Sequence, residues 1–273
     1  MITGILSLCK VELMSKRHKA EQWRLYGELA WLWPVISPPG DYANEADEVA
    51  ILLRRHGRRE IHKVLDLGCG GGHIDCGLKR HFAIVGVDLS EAMLALAREL
   101  NPEVAYLRGD LRAPPMDELF DAVYLGDSVN YMLSERDLRQ AFQAAHDRLA
   151  PGGVFFTIAE ETRERFTSPR AHISHHDVGH IHVTFVQDFH DPDINDTTYE
   201  LTLLFLIHKG DELTVEVDRH RGGLFPLATW QSTAAEVGFE VREATFGSTA
   251  VPAIIGVKPA AGIPSDHVRD EVD

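Results

Sequence analysis

Apolar residues recur at helical spacing between positions 43 and 55, at Ala46, Val49, Ala50, Leu52 and Leu53, which predicts an amphipathic helix closed by Gly57. Next comes Lys63-Val64-Leu65-Asp66-Leu67, a short and nearly continuous apolar run that meets glycines. That is the pattern of a parallel strand buried on both faces and turning into a helix. A second strand is predicted over 83–87, followed by Asp88 and by Ser90, whose hydroxyl is placed to cap a helix through Met93, Leu94, Ala97 and Leu100. Further strands are predicted at 104–108 and 121–125. Ser134 with Asp137 forms a capping box for a helix whose Leu138, Phe142, Ala145 and Leu149 share one face. Pro151-Gly152-Gly153 then turns the chain into a fifth strand, 154–158.

Strand alternating with helix predicts a parallel sheet covered by helices on both faces, because parallel neighbours need right-handed crossovers. After Glu160 the rhythm changes. Segments 181–190, 197–208 and 212–219 are rich in β-branched and aromatic residues, with turns at Asp191-Pro192-Asp193 and Lys209-Gly210-Asp211, and read as an inserted antiparallel β-layer. A last helix starts at Pro226, carries Trp230, Ala234 and Val237 on one face and ends before Gly238; strands 239–245 and 252–258 complete the pattern.

With 44% hydrophobic and 25% charged residues in 273, the chain can bury a full core as one α/β domain with an insertion. Asp plus Glu number 42 against 27 Lys plus Arg, a formal charge of -15 that repels a phosphate backbone or an anionic membrane. The one dense basic run, Arg54 to Arg59, is expected to be a solvated helix end, so neither nucleic acid nor membrane is the expected partner. Cys9, Cys69 and Cys76 lack metal-ligand spacing and suit a reducing compartment, with the cytoplasm as the default. Residues 1–13 read either as a disordered extension or as a misplaced start upstream of Met14.

The chemistry is carried by Asp66-Leu67-Gly68-Cys69-Gly70-Gly71-Gly72, which fits D-x-G-x-G-x-G between a strand and a helix. Glycines there let the backbone turn tightly and approach a ligand. The dinucleotide spacing G-x-G-x-x-G, counted from Gly68, demands glycine at 73 and meets His73, which weakens an oxidoreductase reading. Asp88 ends the second strand, where a carboxylate accepts from ribose hydroxyls, and Asp110 ends the third, where one accepts from an adenine amino group. Three acids at three successive strand ends point to one crevice.

Segments 64–73, 85–90, 109–112 and 149–153 together resemble the motifs of class I S-adenosylmethionine-dependent methyltransferases, in order over roughly residues 26–160. The resemblance implies a Rossmann-like seven-stranded sheet, mostly parallel with its last strand antiparallel. It divides the chain into an N-terminal extension, 1–25, partly disordered; a cofactor-binding core with N-terminal lid helices, 26–160; the β-layer over the active site, 161–223; the helix and strands completing the sheet, 224–259; and a flexible tail, 260–273. It implies that Asp66 with Gly68, Cys69 and Gly70 holds the methionine part of S-adenosylmethionine, Asp88 the ribose, and Gly109, Asp110 and Leu111 the adenine, flanked by Leu89 and Met93, with Gly126 beside the donor. S-adenosylhomocysteine is the implied product.

Tyr26-Gly27-Glu28-Leu29-Ala30-Trp31-Leu32-Trp33 and Asp41-Tyr42-Ala43-Asn44-Glu45-Ala46 narrow the likeness to small-molecule members, including amino-sugar N-methyltransferases, whose N-terminal Tyr-Asp pair lies over the cofactor. Trp33-Pro34 stands here where Tyr-Asp is usual, so Tyr26 and Trp33 are the aromatic cover expected, with packing of Trp31 and Trp33 within a helix as the alternative.

A sulfonium methyl is already electrophilic, so alignment and exclusion of water supply most of the rate and few side chains are demanded. The candidates are Asp127 and Tyr131, in Gly126-Asp127-Ser128-Val129-Asn130-Tyr131, and His220. Asp127 is placed to bind a cationic amine, to accept its proton, or simply to cap a helix start. His172, His175, His176, His180, His182 and His190 fall in the β-layer without a thiolate or a tight second pair, so no metal is expected. The expected function is methyl transfer to nitrogen or oxygen of a small molecule by a monomer or homodimer; the alternative is a non-catalytic S-adenosylmethionine-binding protein that uses the β-layer for a partner.

Overall fold

The computed structural model describes residues 23–260; the expected extension as far as residue 22 and the tail beyond 260 lie outside the described residues. Seven strands form one sheet in the order β10-β11-β5-β4-β1-β2-β3. Its centre is β1 (Lys63–Leu67), flanked by β2 (Ala83–Asp88) and β4 (Phe120–Leu125), both parallel to it. Beyond them lie β3 (Ala105–Arg108) and β5 (Leu149–Ile158). The last strand in sequence, β11 (Val251–Val257), runs antiparallel between β5 and β10 (Glu240–Phe246).

Alternation along the central strands explains the two layers of helix. Val64, Ala122 and Phe156 face α2 (Ala43–His56), α3 (His73–Leu78) and α4 (Glu91–Leu100), whereas Leu65, Leu67, Val123 and Phe155 face α5 (Glu135–Arg148) and α6 (Leu227–Glu236). Ser90 and Ser134 cap α4 and α5, accepting from the amides of Met93 and Asp137 at 3.1 Å each. No helix among the described residues is long and apolar enough to cross a membrane.

Chain order reverses between β1 and β4: β1, β2 and β3 step one way across the sheet, while β4 and β5 lie on the other side. Loops on the two sides therefore diverge at the carboxyl ends of β1 and β4, the crevice where such sheets take ligands.

The insertion is a separate four-stranded antiparallel sheet in the order β6-β7-β8-β9. Three of its strands, β7 (Ile181–His190), β8 (Thr198–Lys209) and β9 (Glu212–Gly223), follow the expected segments; β6 (Arg170–Val178) is an addition. It escapes a hydrophobicity pattern because it is an edge strand, exposed along most of its length. Leu149, expected to end the helical face, instead opens β5, whose path through Pro151 and Gly152 is accommodated by a register shift beside Phe120 and Ala122. One face of the inserted sheet, with Val183, Phe185, Leu203, Phe205 and Ile207, packs on Leu25, Leu29, Leu32 and Ile36, the last within the short helix α1 (Trp33–Ile36). N-terminal segment and insertion thus form one roof over the crevice.

Candidate functional site

The crevice holds a cavity of about 620 Å³ against the carboxyl ends of β1 to β4, and a second of about 630 Å³ adjoins it beneath the inserted sheet. Tyr26, Trp33, Tyr42, Asp127 and Tyr131 border both and form the wall between them. Every residue expected to hold the cofactor lines the first chamber, as do Asp127 and Tyr131, while His220 lines only the second.

The loop after β1 is shaped by its neighbours. Gly68 has a φ of +80°, and a Cβ there would stand 2.3 Å from the side chain of Ser128, whose hydroxyl donates to the Gly68 carbonyl at 2.8 Å. Trp33 covers the loop so closely that a Cβ on Gly71 would come within 2.9 Å of the indole. The amide of Gly70 donates to Asp88 Oδ2 at 2.9 Å and that of Ser90 to Oδ1 at 2.8 Å, fixing this carboxylate at the chamber wall. Cys69 turns its thiol into the core, and burial pushes the thiol well above its ordinary range, so it serves packing.

Asp66 is the electrostatic anomaly. It is 1% exposed, and neither carboxylate oxygen has a hydrogen-bond partner among the described residues. Burial, then the neighbouring carboxyl of Asp75, raises it well above the carboxylate range. A buried unpaired acid is unfavourable unless a donor arrives, and an ammonium in the first chamber is such a donor. With Leu89, Met93 and Leu111 as apolar lining, the chamber fits a cationic nucleoside of the S-adenosylmethionine kind. Asp110 is less free than its sequence position suggests. Its carboxylate is bound by the backbone amide of Arg112 at 2.9 Å and by the guanidinium at 2.7 Å, which holds it below the usual range.

At the wall three acids converge. Burial raises Asp127; facing Asp127 and burial raise Glu160; and burial together with Asp127 pushes Glu45 up to about 7. Folding therefore binds a proton at Glu45, so its favourable share of stability is complete below about pH 4.5 and is lost as pH rises through about 7. We expect Glu45→Gln to flatten the fall in urea midpoint of the ligand-free protein between pH 5 and pH 8, by at most about 3 kcal/mol. An identical slope in variant and wild type contradicts this placement.

Sequence reasoning missed Glu45, Glu160, Ser128, Tyr42 and His73, all at the chamber walls. Glu45 and Tyr42 lie in the segment that resembles amino-sugar enzymes, a usable signal; Glu160 and Ser128 carry none. His73, which breaks the dinucleotide spacing, is 4% exposed, with its ring 5.9 Å from that of Trp33 and 5.7 Å from that of Tyr42. Of the β-layer histidines, His172 reaches the second chamber, while His182 is paired outside with Asp177.

Residues 64–153 match the family described as a methyltransferase domain. A methyltransferase-class protein of Geobacillus sp. (strain WCH70) is 30% identical over 222 residues, 72% of this chain and 81% of the relative. The dTDP-3-amino-3,6-dideoxy-alpha-D-glucopyranose N,N-dimethyltransferase of Streptomyces fradiae is 27% identical over 246 residues, 86% of this chain and 93% of that one. Among solved structures, Streptomyces venezuelae DesVI superposes with a TM-score of 0.74 at 26% identity, covering 81% of this chain and 92% of its own.

Proposed function

Because the chain belongs to the class I S-adenosylmethionine-dependent methyltransferases, we propose that it methylates the nitrogen of an amine carried by a nucleotide-linked amino sugar. The observation that carries this reading is a trio of acids about the wall between the chambers, with Asp127 within it, Glu45 lining the first chamber and Glu160 the second. Crowded carboxyls raised by burial and by one another favour a cation between them, which an alcohol acceptor does not provide. The second chamber also carries Arg165, Arg170 and Arg221, donors suited to phosphate. Arg170 is held ready by Glu161 and by the rings of Phe189 and Phe166, 4.1 and 5.4 Å away. An amine at one place and a diphosphate at another is the chemistry of the sugar nucleotide in the name of the Streptomyces fradiae relative. The basic residues Arg58 and Arg59 are engaged by Glu240 and Asp121, which supports a small-molecule acceptor over a nucleic acid.

Bound S-adenosylmethionine supplies an electrophilic methyl group and leaves as S-adenosylhomocysteine. In this reading Asp66 receives the methionine ammonium, Asp88 the ribose hydroxyls, and Asp110 with Leu111 the adenine. Tyr26, Trp33 and Tyr42 exclude water at the wall, and Asp127 with Glu160 holds the acceptor nitrogen in line, so that positioning supplies the acceleration. Asp110→Ala is expected to weaken S-adenosylmethionine binding by about 1–3 kcal/mol in calorimetry; an unchanged Kd removes the adenine from this place. The reading as a whole is tested by incubating the protein and S-adenosylmethionine with dTDP-3-amino-3,6-dideoxyglucose, free amino sugars and hydroxylated analogues, following S-adenosylhomocysteine formation. Turnover confined to hydroxyl or carboxyl acceptors would sink it.

A further inference from the structure

A hydrogen-bonded chain runs from the wall between the chambers into the roof. The hydroxyl of Tyr26 lies 2.8 Å from that of Tyr131, which lies 2.7 Å from His220 Nδ1; His220 Nε2 is 2.8 Å from Asp218 Oδ2. The four residues come from three distant parts of the sequence: the 3-10 turn Arg24–Tyr26, the 3-10 turn Asp127–Tyr131 after β4, and strand β9. The side chains of His220 and Asp218 are 1% and 0% exposed.

The direction of the protons follows from Asp218. Burial pushes its carboxyl up, but hydrogen bonds from His220 and from the amide of Leu25, 2.8 Å away, outweigh burial and leave it below its ordinary value. The amide of Arg219 donates to its other oxygen at 2.9 Å. An ionised carboxylate only accepts, so His220 carries its proton on Nε2. With the ring uncharged, Nδ1 is an acceptor and takes the Tyr131 proton, and the Tyr131 oxygen takes that of Tyr26. Both hydroxyl protons are committed down the chain, and the Tyr26 oxygen keeps its lone pairs for the chambers that its side chain borders.

We propose that Asp218 and His220 are positioning residues that set the direction of a proton wire, through which Tyr26 takes the proton released by the acceptor amine. The proposal rests on the amine reading above. The balance is simple: an N–H proton of the acceptor in its ammonium form passes to the Tyr26 oxygen as the Tyr26 proton passes to Tyr131 and the Tyr131 proton to His220 Nδ1. The nitrogen lone pair is freed for bond formation, and the positive charge ends on an imidazolium paired with Asp218. Burial raises both phenols well above their usual range, so neither is a standing base. A concerted transfer avoids any tyrosinate, because each oxygen gives a proton as it receives one. The charged and titratable groups facing the wire are Asp127 and Asp88 beside Tyr26 and Tyr199 beside Tyr131. The acids favour an incoming ammonium and disfavour a phenolate.

A structural strut of the same geometry would be indifferent to the charge on Asp218, which makes the two separable. Asp218 Oδ2 accepts from both the Leu25 amide and His220 Nε2, so Asp218→Asn with its oxygen in that place keeps both bonds and removes the charge that pairs with the imidazolium. Nitrogen NMR of histidine-labelled protein with S-adenosylhomocysteine bound, with His220→Gln to identify the resonance, should show Nε2–H in the wild type and in Asp218→Asn alike. With the amine that the wild type methylates, Asp218→Asn and Tyr26→Phe should each lower kcat about 100-fold, while Asp218→Asn leaves the Kd of S-adenosylmethionine within twofold. A wild-type ring protonated on Nδ1, or an Asp218→Asn variant whose kcat stays within threefold, overturns the proposal. Failure of the amine reading is distinguishable, because the tautomer is read without any acceptor; a wild type that methylates only oxygen leaves the wire without its proton source and overturns its catalytic role.

Discussion

Asp66→Asn should resist denaturant better than the wild type and yet lose affinity for S-adenosylmethionine by about 100-fold or more. The two effects share one cause. In the ligand-free protein the Asp66 carboxyl is buried, without a hydrogen-bond partner among the described residues, and next to Asp75, so folding raises it far above its ordinary range. A raised carboxyl stabilises the fold only while protonated, and that contribution disappears as pH rises from the ordinary carboxylate range through the folded value. An amide carries no such penalty. The gain, about 1–3 kcal/mol in urea unfolding, should therefore be present at pH 8 and shrink towards pH 4. On the proposed reading the balance reverses in the complex, where the charge that is unfavourable alone would attract the ammonium of the donor. Calorimetry and unfolding curves on one preparation check both halves; an Asn variant that is less stable, or that binds as the wild type does, contradicts this account.

Asp127→Asn should lower kcat/KM for the amine acceptor by about 100-fold or more while changing the Kd of S-adenosylmethionine less than threefold. The charge of Asp127 does more than burial to raise Glu160 and acts on Glu45 as well, so it is the centre of the negative field at the wall. Without its charge, the two glutamates fall back towards their ordinary values, and the site loses its preference for a cation over a neutral group. Initial rates across acceptor concentration, beside calorimetry of the donor, separate the two chambers. Equal losses for donor and acceptor would place Asp127 in the donor site instead.

The lining of the first chamber is legible in the sequence because backbone constraints leave marks. Gly68 cannot carry a Cβ beside Ser128, and Asp88 must stand where the Gly70 amide reaches it, so spacing encodes both. The parallel pairing of the core strands is equally legible, since continuous apolar runs such as 63–67 are buried on both faces and demand the crossovers that follow. The second chamber is legible only in part, through Asp127, Tyr131 and His220. Glu160 lines it from just beyond β5, and Asp218 backs His220 within β9, through tertiary packing that no local pattern records. β6 is hidden for a different reason: an exposed edge strand has no apolar face to show periodicity. Arg112 is the instructive intermediate case. It lies two residues from Asp110 in plain view, but its hold on that carboxylate depends on a turn and on Asp137, 2.8 Å from the same guanidinium.

The chain leaves the large sheet after β5, builds all of β6 to β9, and returns just before α6, so the inserted sheet is a single uninterrupted stretch of sequence. Grafting another protein's counterpart between those two joints would leave the loops after β1, β2 and β3 untouched. Such chimeras should go on using the same methyl source while changing which molecule receives it, provided that the graft still offers an apolar seat for Leu25, Leu29 and Leu32.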